Sequence, residues 1–140
     1  MTCGWTSWRP GSRGWITDVM TSTPISRDDA PHYRWGEVCD GWHLLQGDDL
    51  SVIEECMPAG ASELRHRHAR SRQFFYVLDG EANLELDGVV HHLGAGQGLH
   101  VPPGAAHQMR NDSGGEVRFI VISAPKSHGD RTAAPLEGSA

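Results

Sequence analysis

Short apolar segments alternate with turn-forming residues along most of this chain, and no segment has the 3.6-residue apolar period of a long helix. Residues 82–86 read Ala, Asn, Leu, Glu and Leu, which is the alternation of a half-buried strand. Asp87-Gly88 follows and is typical of a type I′ hairpin turn. Asp40-Gly41 is interpreted as a turn in the same way. Many short strands between frequent turns predict an all-β fold, either a sandwich or a barrel.

Length, charge and cysteine content restrict the class of protein. A chain of 140 residues is expected to form one domain. Its formal net charge of −6 argues against nucleic acid and anionic membranes as partners, because both select an excess of Lys and Arg. No apolar run has transmembrane length, and no secretory signal pattern is present. Cys3, Cys39 and Cys56 are widely spaced and odd in number, which predicts reduced thiols and a cytoplasmic location.

Three regions are expected along the chain. Residues 1–31 contain Gly, Ser, Thr and Pro without a sustained period and are predicted to be a flexible arm. An alternative is that the tryptophans of this arm dock on a neighbouring subunit, and Met20 would also serve as a start site. Residues 32–123 are predicted to form the β-barrel, and residues 124–140 a polar tail that wraps the surface or frays. A serine, a histidine and an aspartate lie in 127–131, but contiguous residues of a polar tail do not make a catalytic triad.

Two separated stretches carry candidate metal ligands. His66 and His68 are one residue apart, so on a strand both imidazoles lie on the same face. Gln73 follows at the start of the apolar run 74–78. His107 comes from the second stretch, after the turn at 102–104. Three imidazoles and one amide oxygen make a plausible shell for a divalent metal ion.

Both stretches resemble the signature motifs of the cupin superfamily. The matching residues are Gly60, His66, His68 and Gly80 in the first motif, and Gly96, Pro102, Gly104, His107 and Asn111 in the second. Gln73 departs from the pattern, which has Glu at that place. The resemblance covers roughly residues 50–123 and implies a double-stranded β-helix, or jelly-roll barrel, that holds one metal ion. It also implies a homodimer, often with the N-terminal strand added to the sheet of the partner.

The glutamine in place of glutamate has a chemical consequence. A Gln73 carbonyl cancels no metal charge, so a bound substrate oxygen would be more strongly polarised and the ion more weakly retained. Zinc, nickel and iron accept this donor set. The alternative is that Gln73 is not a ligand and that the site is formed by the three histidines.

Strand parity also predicts what surrounds the ligands. Phe75, Val77 and Met109 share parity with proposed ligands, so we expect an apolar pocket of the kind that binds a small molecule. Glu54 and Glu55 are adjacent on one strand, and whichever faces inward is a candidate acid or base, with a weak preference for Glu55. Glu63 is a further candidate at the lip of the pocket. The histidines outside the motifs, His43, His91, His92 and His100, are expected to be structural or exposed.

The favoured function is an enzyme that acts on a small enolisable or phenolic molecule by Lewis-acid isomerase or cyclase chemistry. One alternative is a non-haem Fe(II) dioxygenase, since cupins include both classes and the fold does not choose between them. Another is a protein without catalytic activity that binds a small molecule or keeps a metal ion for stability.

Overall fold

The computed structural model describes residues 22–136, and within this range the secondary structure is entirely β. The strands are β1 (His32–Trp35), β2 (Cys39–Gln46), β3 (Ser51–Met57), β4 (His66–His68), β5 (Arg72–Asp79), β6 (Glu81–Leu86), β7 (Val89–Gly94), β8 (Gly98–Val101), β9 (His107–Arg110), β10 (Val117–Ala124) and β11 (Arg131–Ala133). The described residues contain no helix that could cross a membrane.

The strands form two antiparallel sheets that enclose the core. The six-stranded sheet has the order β1-β2-β3-β10-β5-β8, and the five-stranded sheet has the order β11-β4-β9-β6-β7. From β3 onwards the chain passes repeatedly from one sheet to the other, which is the winding of a double-stranded β-helix. The predicted all-β barrel is therefore confirmed.

Alternation along β5 shows how the sequence fills the barrel. Phe75 and Val77 are buried, whereas the alternating residues Phe74 and Tyr76 are exposed on the outer face. Met109 on β9 is fully buried as well, so its side chain and those of β5 meet in one apolar cluster. The parity expected from the sequence therefore describes the interior of the barrel correctly.

Two turn predictions had different outcomes. Asp87 and Gly88 both have positive φ angles, 48° and 90°, as the predicted type I′ hairpin requires. The turn predicted at Asp40-Gly41 is wrong, because both residues lie within β2 and the chain reverses earlier, at residues 36–38. Gly41 has a different purpose, since a Cβ atom at this position would overlap the ring of Tyr33. A glycine inside a strand often marks such a close approach.

The chain on either side of the barrel is described in part. The N-terminal tryptophans and Met20 lie outside the described residues, so the predicted arm stays a prediction there. At the other end, residues 131–133 form β11 and pair with β4, with Arg131 opposite His68 and Ala133 opposite His66. The segment predicted to be a tail thus adds an edge strand beside the candidate ligands.

Candidate metal centre and its cavity

Three histidine side chains converge at one point of the barrel interior. His66 and His68 lie on β4, and His107 on β9 is paired directly with His66. All three are buried, and one ring nitrogen from each lies within 4.8 Å of the others. This cluster could hold a metal ion.

The protein fixes the tautomer of each ring through its Nδ1 atom. In His66 this atom donates to the carbonyl of Leu64 at 2.7 Å, and in His107 to the carbonyl of Ala105 at 3.0 Å. In His68 it donates to the carbonyl of Asp130 at 3.2 Å. Since Nδ1 keeps the proton, each Nε2 atom carries a free lone pair, which is the form that binds metal.

Burial also keeps the three rings uncharged. Desolvation lowers the pKa of His66 to about 3, and it lowers the pKa values of His68 and His107 as well. The imidazoles are therefore neutral at physiological pH. A metal ligand must be deprotonated, so the site needs no proton release before an ion binds.

Gln73 completes the candidate donor set. Its amide nitrogen donates to the hydroxyl of Ser123 at 3.0 Å, which fixes the direction of the carbonyl oxygen. Within residues 22–136 that oxygen has no hydrogen-bond partner, and neither do the Nε2 atoms of His68 and His107. Buried acceptors without a donor are costly, and a cation would be a suitable partner for such atoms. The donor set therefore fits a divalent metal ion.

His66 and His68 of the cluster line a cavity of about 730 Å³ between the two sheets. Besides His66, His68 and Gln73, its lining comprises Tyr33, Trp35, His43, Gln46, Gly47, Asp48, Ser51, Ile53, Glu55, Glu63, Val121, Ser123, Lys126, Ser127, His128, Gly129 and Arg131. This lining is more polar than the apolar pocket expected from the sequence, because β1 and residues 126–131 contribute charged and hydrogen-bonding groups. The volume is suitable for a small organic molecule.

The structure separates the two adjacent glutamates of β3. Glu55 lines the cavity. Glu54 lies on the opposite face of the strand, where its carboxylate is 3.3 Å from Arg118 and 3.6 Å from Arg27. Glu54 is thus held by surface arginines, and Glu55 is the member of the pair that can meet a ligand in the cavity.

Tyr33 holds Glu55 in place. Tyr33, Gly41 and Glu55 lie opposite one another on β1, β2 and β3, and the phenol passes over Gly41 to donate to Oε1 of Glu55 at 3.3 Å. Burial raises the pKa of the tyrosine, and the nearby Glu55 charge raises it further. The phenol is therefore protonated and acts as a donor toward the carboxyl group.

Burial has the same effect on the cavity carboxyl groups. Desolvation, and then the neighbouring charge of Glu63, raise the pKa of Glu55 to about 8. Desolvation raises the pKa of Glu63 to about 7, although its Oε1 accepts the amide hydrogen of Met109 at 2.9 Å. Both groups can change protonation near neutral pH, as a general acid or base must.

Several cavity residues were not identified from the sequence. Tyr33 is one of them. It could have been found because Tyr33 and Trp35 alternate on a short strand and therefore share a face. His43 lines the cavity and stacks on Tyr33 at 4.7 Å between ring centroids, whereas we expected a structural or exposed histidine. The largest omission is the segment 126–131, which was assigned to a polar tail. His91, His92 and His100 do not line this cavity.

Comparison with known proteins identifies the class. A family model described as "Cupin domain" matches residues 53–123, about half of the chain. The chain therefore belongs to the cupin family, as the two motifs indicated. Among solved structures, the polyketide cyclase RemF from Streptomyces resistomycificus aligns with a TM-score of 0.70 at 20% identity, covering 84% of this chain and 88% of that one. At this identity the similarity concerns the fold.

Curated relatives match over a shorter length. An uncharacterized protein of Methanocaldococcus jannaschii, MJ1618, is 27% identical over 89 residues, which are 63% of this chain and 71% of that protein. The polyketide synthase CurC of Streptomyces cyaneus is 35% identical over 69 residues, or 49% of this chain. The chain spans 45% of the length of CurC.

Proposed function

We propose that this protein is a metal-dependent enzyme that acts on a small enolisable or phenolic molecule by isomerase- or cyclase-type chemistry. The observation that carries the proposal is one cavity lined by His66 and His68 of the neutral three-histidine cluster and by a protonatable carboxyl group, Glu55. His66, His68, His107 and Gln73 would hold the ion, which we expect to be zinc, nickel or iron. When bound, the ion supplies a Lewis acid that stabilises negative charge on a substrate oxygen.

The residues of the chain would perform the proton transfer. Glu55 takes a proton from the carbon beside a carbonyl group, or from a phenol, and returns it elsewhere on the molecule. Tyr33 orients the carboxyl group through the hydrogen bond to Oε1. Burial reduces the contact of Glu55 and the histidines with water, which strengthens their electrostatic interactions with a bound molecule.

The name of one relative is consistent with this substrate class. CurC is called a polyketide synthase, and polyketide chains carry carbonyl groups whose neighbouring carbon atoms are acidic. The similarity covers about half of this chain. It supports a substrate that can form an enolate and leaves its identity open.

Metal analysis of protein purified without chelators is the first test, beside a Gln73→Glu variant. We expect near-stoichiometric zinc, nickel or iron in the wild type, and tighter retention in Gln73→Glu because the carboxylate adds a charge. Iron with oxygen uptake on diketones or phenols would favour the dioxygenase alternative. Absence of metal, also after reconstitution, would exclude the proposed centre.

Deuterium exchange tests the base. The metal-loaded protein should accelerate the exchange of the α-hydrogens of hydroxyacetone, as followed by NMR, with a pH profile that rises through about 8. Glu55→Gln should slow the catalysed exchange by about 10²–10⁴-fold, the usual contribution of a general base. Glu54→Gln is the matched control and should retain the rate. Equal rates in all three proteins would exclude Glu55 from the mechanism.

A homodimer and a cytoplasmic location are part of the proposal. Phe74 and Ile122 are paired across β5 and β10 on the outer face of the six-stranded sheet, where they are 40% and 36% exposed. This apolar face supports a dimer, and light scattering of a Phe74→Ser, Ile122→Ser double variant tests it: a monomer is expected. The free buried thiols of Cys39 and Cys56 support a reducing compartment.

A further inference from the structure

We propose that Arg131 binds an anionic group of the substrate, so that the substrate carries a carboxylate in addition to the oxygen atoms that contact the metal ion. The inference rests on the proposed function and specifies its substrate class. It assigns a recognition function to β11, which lies outside both histidine motifs and outside the matched residues 53–123.

The register of β11 directs Arg131 toward the cavity. Arg131 is paired directly with His68, and side chains at directly opposite positions of an antiparallel pair lie on the same face of the sheet. His68 faces the barrel interior, and Arg131 lines the same cavity. Its Nη2 donates to the carbonyl of Leu64 at 3.3 Å, which is the carbonyl that also accepts the His66 Nδ1 hydrogen. The guanidinium group therefore lies next to the histidine cluster.

This guanidinium group has donors to spare. An arginine has five N–H donors, and within residues 22–136 the Arg131 side chain makes the single hydrogen bond to Leu64. In the same range it has no ion-pair partner, although Glu55 and Glu63 line the same cavity. Lys126 differs, because its ammonium group is paired with Asp48 at 2.8 Å. Arg131 is thus a solvent-exposed cation that lines the cavity and keeps its N–H donors available.

The backbone directly before Arg131 is firmly attached. The Asp130 carboxylate accepts the amide hydrogens of Ala69, Arg70 and Ser71 at 3.1, 2.9 and 2.9 Å. These bonds tie β11 to the loop that follows β4. A guanidinium group on a fixed backbone loses less entropy when it binds a ligand.

A planar oxyanion is the ligand that fits these donors. Two parallel N–H groups of an arginine match the two oxygen atoms of a carboxylate, and such pairs are strong and directional. Burial raises the pKa values of Glu55 and Glu63 to about 8 and about 7, although the Arg131 charge acts in the opposite direction, so the cavity carboxyl groups repel an anion less below these pH values than ionised carboxylates would. A molecule bound to the metal ion through one end could therefore place a carboxylate against Arg131.

Isothermal titration of the zinc-loaded protein with two probes tests the inference. Catechol and 3,4-dihydroxybenzoate present the same pair of oxygen atoms to a metal ion and differ by one carboxylate. For the wild type we expect the acid to bind at least tenfold more tightly than catechol. In Arg131→Gln this preference should fall to within about twofold of unity, while the zinc content and the affinity for catechol stay unchanged. Arg131→Lys keeps the charge without the fork and should retain part of the preference.

Arg34→Gln is the matched control, because Arg34 lies on β1 with its side chain 67% exposed and does not line the cavity. It should behave as the wild type does. An undiminished preference for the acid in Arg131→Gln would overturn the inference and leave the proposed metal chemistry standing.

Failure of the proposed function has a different signature, namely a wild type that retains no zinc or binds neither probe. Line broadening of 4-hydroxybenzoate in the NMR spectrum with metal-free protein then tests whether Arg131 binds an anion. Broadening that Arg131→Gln abolishes would support the residue as an anion site. Equal broadening in both proteins, or none in either, would overturn it.

Discussion

The candidate site has two walls of opposite chemistry, and the same physical cause sets both. The imidazole wall comprises His66, His68 and His107, and the carboxyl wall comprises Glu55 and Glu63. Burial lowers the pKa values of the first group and raises those of the second, because desolvation disfavours whichever form is charged. One wall therefore offers lone pairs at neutral pH while the other still holds protons. A Lewis acid beside a proton carrier is the combination that enolisation needs.

The residues of the two walls also differ in how far away their hydrogen-bond partners lie in the chain. His66 and His107 donate to carbonyl groups two residues earlier in their own segments, so their orientation is local. Glu55 depends on Tyr33, 22 residues away, and His68 depends on Asp130, 62 residues away. Substitutions of a ligand and of a distant supporting residue should consequently have different effects, and the following expectations are ordered by the size of the effect.

Removal of one imidazole should have the largest effect. His107→Ala deletes a buried donor from the cluster, and two histidines with Gln73 make an incomplete shell. We expect the bound metal to fall below about a tenth of the wild-type content after dialysis, measured by mass spectrometry of the ion, with the fold checked by circular dichroism. The exposed His100→Ala should keep its metal. Wild-type metal content in His107→Ala would mean that the imidazole wall is not the binding site.

Asp130→Ala tests whether the distant segment supports the imidazole wall. Three backbone amides lose their acceptor, so β11 should detach and His68 should lose the fixed carbonyl partner of its Nδ1. Weaker positioning of one ligand is expected to reduce metal affinity by about 10-fold. Hydrogen exchange at residues 69–71 and 131–133 should increase at the same time. Asp49→Ala, at an exposed turn, is the control, and unchanged affinity with unchanged exchange would show that the segment is dispensable.

Gly41→Ala tests the carboxyl wall by displacing Tyr33, which donates a hydrogen bond to Glu55. The added methyl group would overlap the Tyr33 ring, so the ring must move and Glu55 loses its donor. Overpacking of this kind costs about 1–3 kcal/mol, which denaturant unfolding can measure. The same change in a Tyr33→Ala background should cost much less, since the ring is gone. Additive costs in this double-mutant cycle would argue that the two residues are not in contact.

The smallest of these effects concerns stability, since Glu55→Gln should change how the free energy of unfolding depends on pH. The folded pKa of about 8 exceeds the ordinary value of 4.5, so between these values the folded protein binds more protons than the unfolded chain. The free energy of unfolding of metal-free protein should therefore decrease as pH rises through this window, and Glu55→Gln should remove part of the decrease. Thermal melts from pH 5 to 9 would reveal a difference of a few degrees. Parallel melting curves for the two proteins would mean that Glu55 is not shifted in this way.

Strand parity explains which features could be read from the residues. His66 and His68, one residue apart, must share a face of any strand, and Phe75 and Val77 share one with Gln73 for the same reason. Asp87-Gly88 predicts the type of its turn, because only certain residues adopt positive φ at low energetic cost. These are relations between neighbours in the chain, and they account for the alternation along the strands and for the shared face of His66 and His68, whereas His107 is predicted from the second motif.

Parity cannot say which of two adjacent residues faces inward, so the residues of β3 supported only a weak preference for Glu55 over Glu54 until their sheet neighbours were known. Gly41 was interpreted as part of a turn because the residue that requires a glycine there, Tyr33, lies on another strand. Arg131 and Asp130 lie in a polar segment whose composition is that of a tail. Arg131 is nevertheless paired with His68, and the Asp130 carbonyl accepts the His68 Nδ1 hydrogen, so both residues lie at the candidate metal centre. Contacts across 22 to 62 residues depend on how strands align in space, and that alignment follows from packing of the whole barrel.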